Sequence, residues 1–215
     1  MIGRRAVLAA GAGVIARQAA AALPVPPDNR LAFRLIRHGS EIGRHTLTFE
    51  PQGDTLTVHV AVDARVTLLS IPIASYTHRS TENWQGETLV GITGQTNKNG
   101  QHEWVNARHT SEGLVVVGSK AARYVAPEQA IGVSYWNKRM LSVPMISLED
   151  GALLRPKVAE RRTDAIPLAS GSTIPAEHYN ISGAFDADVW YDQTNAWASL
   201  ALTVADGSEI HYQRL

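Results

Sequence analysis

The sequence predicts an all-β fold, a curved antiparallel sheet closing into a barrel or half-barrel of about 8–11 strands. Three observations carry that expectation. Apolar and polar residues alternate with period two over most of the chain. Turn signals recur at short spacing, His38-Gly39, Asn97-Lys98-Asn99-Gly100 and Asp206-Gly207 among them. Helical periodicity is almost absent, with one short candidate near Pro127–Asn137.

The segment Leu56–Leu68 alternates most cleanly. Leu56, Val58, Val60, Val62, Ala64, Val66 and Leu68 share one face, and Thr57, His59, Ala61, Asp63, Arg65 and Thr67 the other. An amphipathic helix needs apolar spacings of three and four, so this is a strand of about 40 Å at ~3.3 Å per residue. Strands of that length are strongly twisted or bent. Pro72 marks its end or an edge kink. Before it, Leu31–Arg37 and Thr46–Phe49 form a hairpin about His38-Gly39, with a bulge expected at Gly43. After it come strands over Ala74–Trp84, Glu87–Gln95, His102–His109 and Gly113–Tyr124. The Asn99-Gly100 pair is a strong hairpin turn.

From Ala126 to Asn180 the pattern is less regular, punctuated by Pro127, Pro144, Pro156, Pro167 and Pro175. Short paired strands are expected around Glu149-Asp150-Gly151. Strict alternation returns at the C-terminus: Phe185, Ala187, Val189 and Tyr191, then Ala198, Leu200, Leu202 and Val204. A four-residue loop Asp192–Asn195 would set Tyr191 opposite Ala196 and Trp190 opposite Trp197. At the next turn a left-handed Gly207 would set Val204 opposite Ser208 and Leu202 opposite Ile210.

The first 22 residues read as an export signal rather than fold, a twin-arginine-like one. Arg4-Arg5 precede a weakly apolar Ala/Gly stretch, and Ala20–Ala22 offers a small-residue cleavage site. Cleavage near Ala22 removes Arg4, Arg5 and Arg17, taking the formal net charge from zero to −3. Residues 23–30, with Pro24, Pro26 and Pro27, are an extended lead-in, and 31–215 form a single β domain. The expected location is the periplasm.

Composition narrows the chemistry. There is no cysteine, hence no disulfide, thiolate metal site or cysteine nucleophile. The balanced charge argues against a nucleic-acid partner. No apolar run in the body is long enough for a transmembrane helix. No dinucleotide, phosphate-loop or nucleophile-elbow signature occurs. The eight histidines lack metal-motif spacing, so no metal or other cofactor is expected. Asp186 and Asp188 share the strand face opposite the core, a pairing that a solvated sheet face explains.

Several segments together resemble a known family. They are Phe33-x-x-x-Arg37-x-Gly39-x-x-Ile42-Gly43-x-His45, Ser134-Tyr135-Trp136-Asn137, Glu149-Asp150-Gly151, Tyr179-x-Ile181-x-Gly183, Asp188-Val189-Trp190-Tyr191-Asp192 and Asp206-Gly207-Ser208-x-Ile210-x-Tyr212. The chain resembles an uncharacterised family of exported bacterial β-proteins, domain of unknown function 6134, similar in style to the 3108 family. That resemblance implies a curved sheet or barrel and no established activity, so it carries over no catalytic residues.

The functional expectation is a non-enzymatic binding or carrier module for an apolar small molecule or lipid. A concave face of Val58, Val60, Val62, Leu200 and Leu202 would lead to a mouth near Tyr135, Trp136 and Met140. Met145 follows in the same irregular region, and Tyr76 and His78 share an inward-facing strand face. Met adapts to varied apolar shapes, and such a mouth suits an apolar ligand. The same aromatics and methionines could equally plug the core. Two other classes stay open: a cavity enzyme of isomerase or hydrolase type using His78 or His178, and a structural or envelope-assembly factor. Oligomeric state is open.

Overall fold

The computed structural model describes residues 23–68, 71–204 and 206–215. The expected export signal lies outside the described residues.

Eight strands follow one another as antiparallel neighbours: β1 (Arg30–Arg37), β2 (Ser40–Gln52), β3 (Thr55–Leu68), β4 (Ile71–Gln85), β5 (Thr88–Lys98), β6 (Gln101–Thr110), β7 (Gly113–Gly118) and β8 (Ala121–Val125). Three two-residue strands come next, β9 (Ile131–Gly132), β10 (Met145–Ile146) and β11 (Leu153–Leu154), forming a separate small sheet. A second meander ends the chain: β12 (Lys157–Pro167), β13 (Thr173–Ser182), β14 (Ala187–Asp192), β15 (Trp197–Thr203) and β16 (Glu209–Arg214). β16 pairs with β1, so the two meanders fuse into one 13-stranded sheet with the N-terminal strand in its interior. β12 and β8 are its two outer strands and, among the described residues, do not pair with each other, so the described sheet is open rather than a closed barrel.

The strand count exceeds the 8–11 expected, for two local reasons. Gly113–Tyr124 is not one strand, because a turn at Ser119-Lys120 divides it into β7 and β8. The proline-rich stretch contains a long hairpin, β12–β13. Pro167 closes β12, and Pro175 lies beyond the reach of β14, which pairs with β13 only from Ala176. A proline there removes no ladder bond.

The helix candidate Pro127–Asn137 is not helical. A single 3-10 turn, Lys138–Leu141, follows it instead, and the Asn137 side chain accepts from the Arg139 N–H at its start. Both early turns form as expected. His38 and Gly39 have φ of 48° and 75°, and Asn99 and Gly100 have 53° and 88°. The β1–β2 bulge falls at Ile42, one residue before Gly43, since Leu35 pairs with Gly43 and Ile36 with Glu41. Leu202 opposes Ile210, and Val204 N–H donates to Ser208 across a loop with Gly207 left-handed.

The preceding hairpin corrects the expected register. Tyr191 pairs with Trp197 and Trp190 with Ser199. The Asp192 carboxylate collects the N–H groups of Thr194 and Ala196, and Asn195 turns left-handed (φ 61°). This winds one more residue into the loop, and a bulge restores the alternation. Trp197 therefore joins the core, its ring 4.0 Å from that of Phe33, while Trp190 lies on the outer face.

The inner face is buried under the segment Ala126–Pro156, which fills the concavity. Ile131, Trp136, Met140, Met145, Ile146 and Leu148 are all buried in the same core as Val58, Val60, Leu200 and Val189. Glycine makes room for this segment. A Cβ on Gly94 would lie 2.2 Å from the Leu148 carbonyl oxygen, and one on Gly118 only 1.9 Å from that of Asp150. The lead-in also docks, with Leu23 and Val25 packed against the core.

Candidate ligand cleft

Period-two alternation and the ladder registers deliver two rows of side chains across the inner face. One row runs Phe33, His45, Val62, His78, Thr96 and Glu103. The next runs Leu200, Tyr212, Leu35, Gly43, Ala64, Tyr76 and Lys98. The plug covers the far end of the concavity, and at this end it stops short.

Two adjoining cavities remain between the rows and the plug. The outer one, of about 720 Å³, is lined mainly by aliphatic groups, including Leu35, Ile42, Val62, Ala64, Val66 and Leu202. The inner one, of about 360 Å³, brings in His45, His78, Ser134, Tyr135 and Phe185. Val62, Tyr76, Glu149, Leu202 and Tyr212 line both, so the two form one cleft with an apolar outer part and a more polar inner end.

Two ion pairs hold the rim. Arg37 pairs with Asp206. Glu149, on the plug, accepts from the Tyr76 hydroxyl at 2.6 Å and from Lys98 Nζ at 2.5 Å. Exposed pairs contribute little to stability, but these two fasten the loop and the sheet at the opening.

The buried imidazoles and phenols of the cleft are neutral at pH 7. Burial, reinforced by the neighbouring His78, holds His45 down to about 3. Burial likewise holds His78 down to about 4, with Arg79 and Lys98 adding to it against the opposing pull of Glu149. Burial pushes the hydroxyls of Tyr76, Tyr135 and Tyr212 up, helped by the Glu149 carboxylate.

Of the six residues expected from sequence, Tyr76, His78 and Tyr135 line the cleft. Trp136, Met140 and Met145 do not. They are 1%, 1% and 0% exposed and fill the core, where Trp136 stands edge-on to Phe49 and Trp84. The cleft therefore lies at the Tyr76 end and does not include Trp136 or Met140.

His78 has both ring nitrogens engaged by hydroxyls, Thr96 at 2.8 Å and Ser80 at 2.9 Å. Among the described residues no carboxylate bonds it, and burial holds it neutral down to about pH 4, which suits a structural imidazole better than a general base. His178 is not in the cleft. It lies on the outer face between Asp188 (2.6 Å) and Asp164 (3.2 Å), stacked on Trp190. Among the described residues no group of three or more His, Asp or Glu is placed to hold a metal ion.

Sequence reasoning placed His45, Glu149 and Tyr212 in the family motifs but not among the ligand-site residues. A signal for His45 existed: it shares parity with Leu47 and Phe49, which face the core. Glu149 and Tyr212 meet Tyr76 only through the plug crossing and the β16–β1 pairing, which no local pattern announces.

A family model described as a domain of unknown function (DUF6134) matches residues 33–215. The comparison with curated proteins gave no match. Among solved structures the chain is similar to a β-barrel-like protein of domain of unknown function DUF1849 from Brucella abortus. The TM-score is 0.61 at 11% identity, covering 86% of this chain and 94% of that one. At that identity the likeness speaks for the fold alone.

Proposed function

The chain belongs to the DUF6134 family, and within its β-barrel-like fold we propose a carrier for an apolar small molecule or lipid. One observation carries this reading. The plug fills most of the concavity, yet an aliphatic cleft of about 720 Å³ stays unfilled at the Tyr76 end. The cleft is open to solvent on one side, so its aliphatic wall is reachable from outside and would be desolvated by an apolar ligand. The size falls in the range of ~300–1,000 Å³ usual for small-molecule pockets. Burying an alkyl chain there gains roughly 25 cal/mol per Å² before ordering costs.

The carrier acts outside the cytoplasm. Arg4-Arg5, the Ala/Gly stretch and the Ala20–Ala22 site support export to the periplasm. Among the described residues no helix is long and apolar enough to cross a membrane. N-terminal sequencing of secreted material should start near Leu23, and a start at Met1 removes the export reading.

Binding is tested by titrating an environment-sensitive alkyl fluorophore and displacing it with dodecanol. Saturable one-to-one binding is expected, weakened at least tenfold by Leu202→Arg, which charges the cleft wall from a half-buried position. Absence of saturable binding refutes the carrier.

A further inference from the structure

His45 and His78 sit on the same cross-sheet row, either side of Val62, and line the same inner cavity. Their surroundings differ. His78 has a hydroxyl on each ring nitrogen. His45 has none: Nδ1 and Nε2 are both buried with no hydrogen-bond partner among the described residues. Its neighbours are aromatic, with the Trp197 and Tyr212 rings at 5.2 and 5.7 Å. A buried polar group left unpaired costs free energy that native structures rarely leave unrecovered.

Resting on the carrier reading above, we propose that the inner end of the cleft seats an amphiphile whose uncharged head group both gives and accepts a hydrogen bond, a hydroxyl or a primary amide, against His45. A neutral imidazole offers one donor and one acceptor pointing in diverging directions, so with the ring turned toward the cavity such a head would bond one nitrogen directly and a bridging water the other. Burial keeps this imidazole neutral, which removes the attraction a cationic histidine would exert on an anionic head.

The rest of the inner lining favours the same choice. It contains the carboxylates of Glu149 and Asp150 and neither lysine nor arginine. An anionic head would enter a desolvated site facing like charge. A cationic head finds Glu149 already occupied by Tyr76 and Lys98, and Asp150 accepting from the Ala152 N–H. It would also leave the His45 donor without a partner. The apolar chain would then lie along Val62 and Leu202 toward the outer cavity.

Four dodecyl amphiphiles test this at pH 7.5: dodecanol, dodecanamide, dodecanoate and dodecyltrimethylammonium, each in competition against the alkyl fluorophore. The alcohol and the amide are expected to bind at least tenfold more tightly than either ion. His45→Phe should erase that margin while dodecyl binding persists, and His45→Gln, which keeps a donor and an acceptor, should retain most of it. Tightest binding of the carboxylate or the ammonium overturns the proposal, as does an unchanged margin in His45→Phe. Equal binding of all four overturns the head-group inference and leaves the carrier standing. Binding of none removes both.

Discussion

The indole N–H of Trp136, on the plug, donates to Oε2 of Glu82, on β4, at 3.3 Å. The Trp84 indole donates to the same oxygen at 3.0 Å, and Glu82 is fully buried. A carboxyl thus ties the plug to the sheet. Burial pushes its pKa up, outweighing the bonds from Ser134, Trp84 and Trp136 that favour the charged form. Its contribution to stability is therefore fully present below the unfolded-state value of ~4.3 and declines as pH rises toward the folded one. Glu82→Gln removes that dependence. Relative to this variant, the wild type should gain stability between pH 7 and pH 5 in urea unfolding. A constant difference contradicts a carboxyl whose pKa burial raises.

His78 works in the opposite direction. Its pKa falls from an unfolded value of ~6.5 to about 4, so its contribution is complete above pH 6.5 and is lost as pH falls toward 4. At pH 5 the loss is about 2 kcal/mol. Relative to His78→Gln, the wild type should weaken by that amount between pH 7.5 and pH 5. Parallel pH profiles would mean that His78 is charged or hydrated in the folded state.

The glycines under the plug are close-approach sites. Gly118→Ala puts a methyl 1.9 Å from the Asp150 carbonyl oxygen, backbone against backbone. Overpacking of this kind costs about 1–3 kcal/mol or more. Gly118→Ala should lower the unfolding midpoint and raise hydrogen exchange over residues 147–152. Gly39→Ala, whose Cβ meets open space, should leave that segment unchanged and pay only for its positive φ.

Trp136→Ala is a packing variant. It removes a ring buried against Phe49 and Trp84, at a cost of about 3–5 kcal/mol. Thermal unfolding should show this. A variant of unchanged midpoint but lost ligand binding would return Trp136 to the mouth.

These variants mark where the sequence is legible. On β3 the alternation reads directly, since Val58, Val60 and Val62 are buried and Asp63 and Arg65 exposed. On β4 the same parity places Tyr76, His78, Ser80, Glu82 and Trp84 inward. A polar inner stripe is unusual, and composition alone does not announce it. The sheet satisfies part of it, Thr96 and Ser80 on His78 and Trp84 on Glu82, and the plug, with Trp136 and Glu149, supplies the rest. The Tyr191 register was hidden because Ala198 is buried in a small outer-face cluster with Ile166 and Ala176, so a bulge there leaves the hydrophobic pattern intact. The plug's filling role for Trp136, Met140 and Met145 could not be told from a mouth because both uses demand large apolar side chains.

The most direct measurement is a co-crystal with 12-bromododecanol, located by the anomalous signal of bromine. The carrier account predicts one bromine site in the outer part of the cleft, beside Ile42, Val66 and Val204, with the hydroxyl directed toward His45. Bromine found only on the outer face, such as beside the exposed Trp104, or no ordered site at saturating ligand, would contradict it.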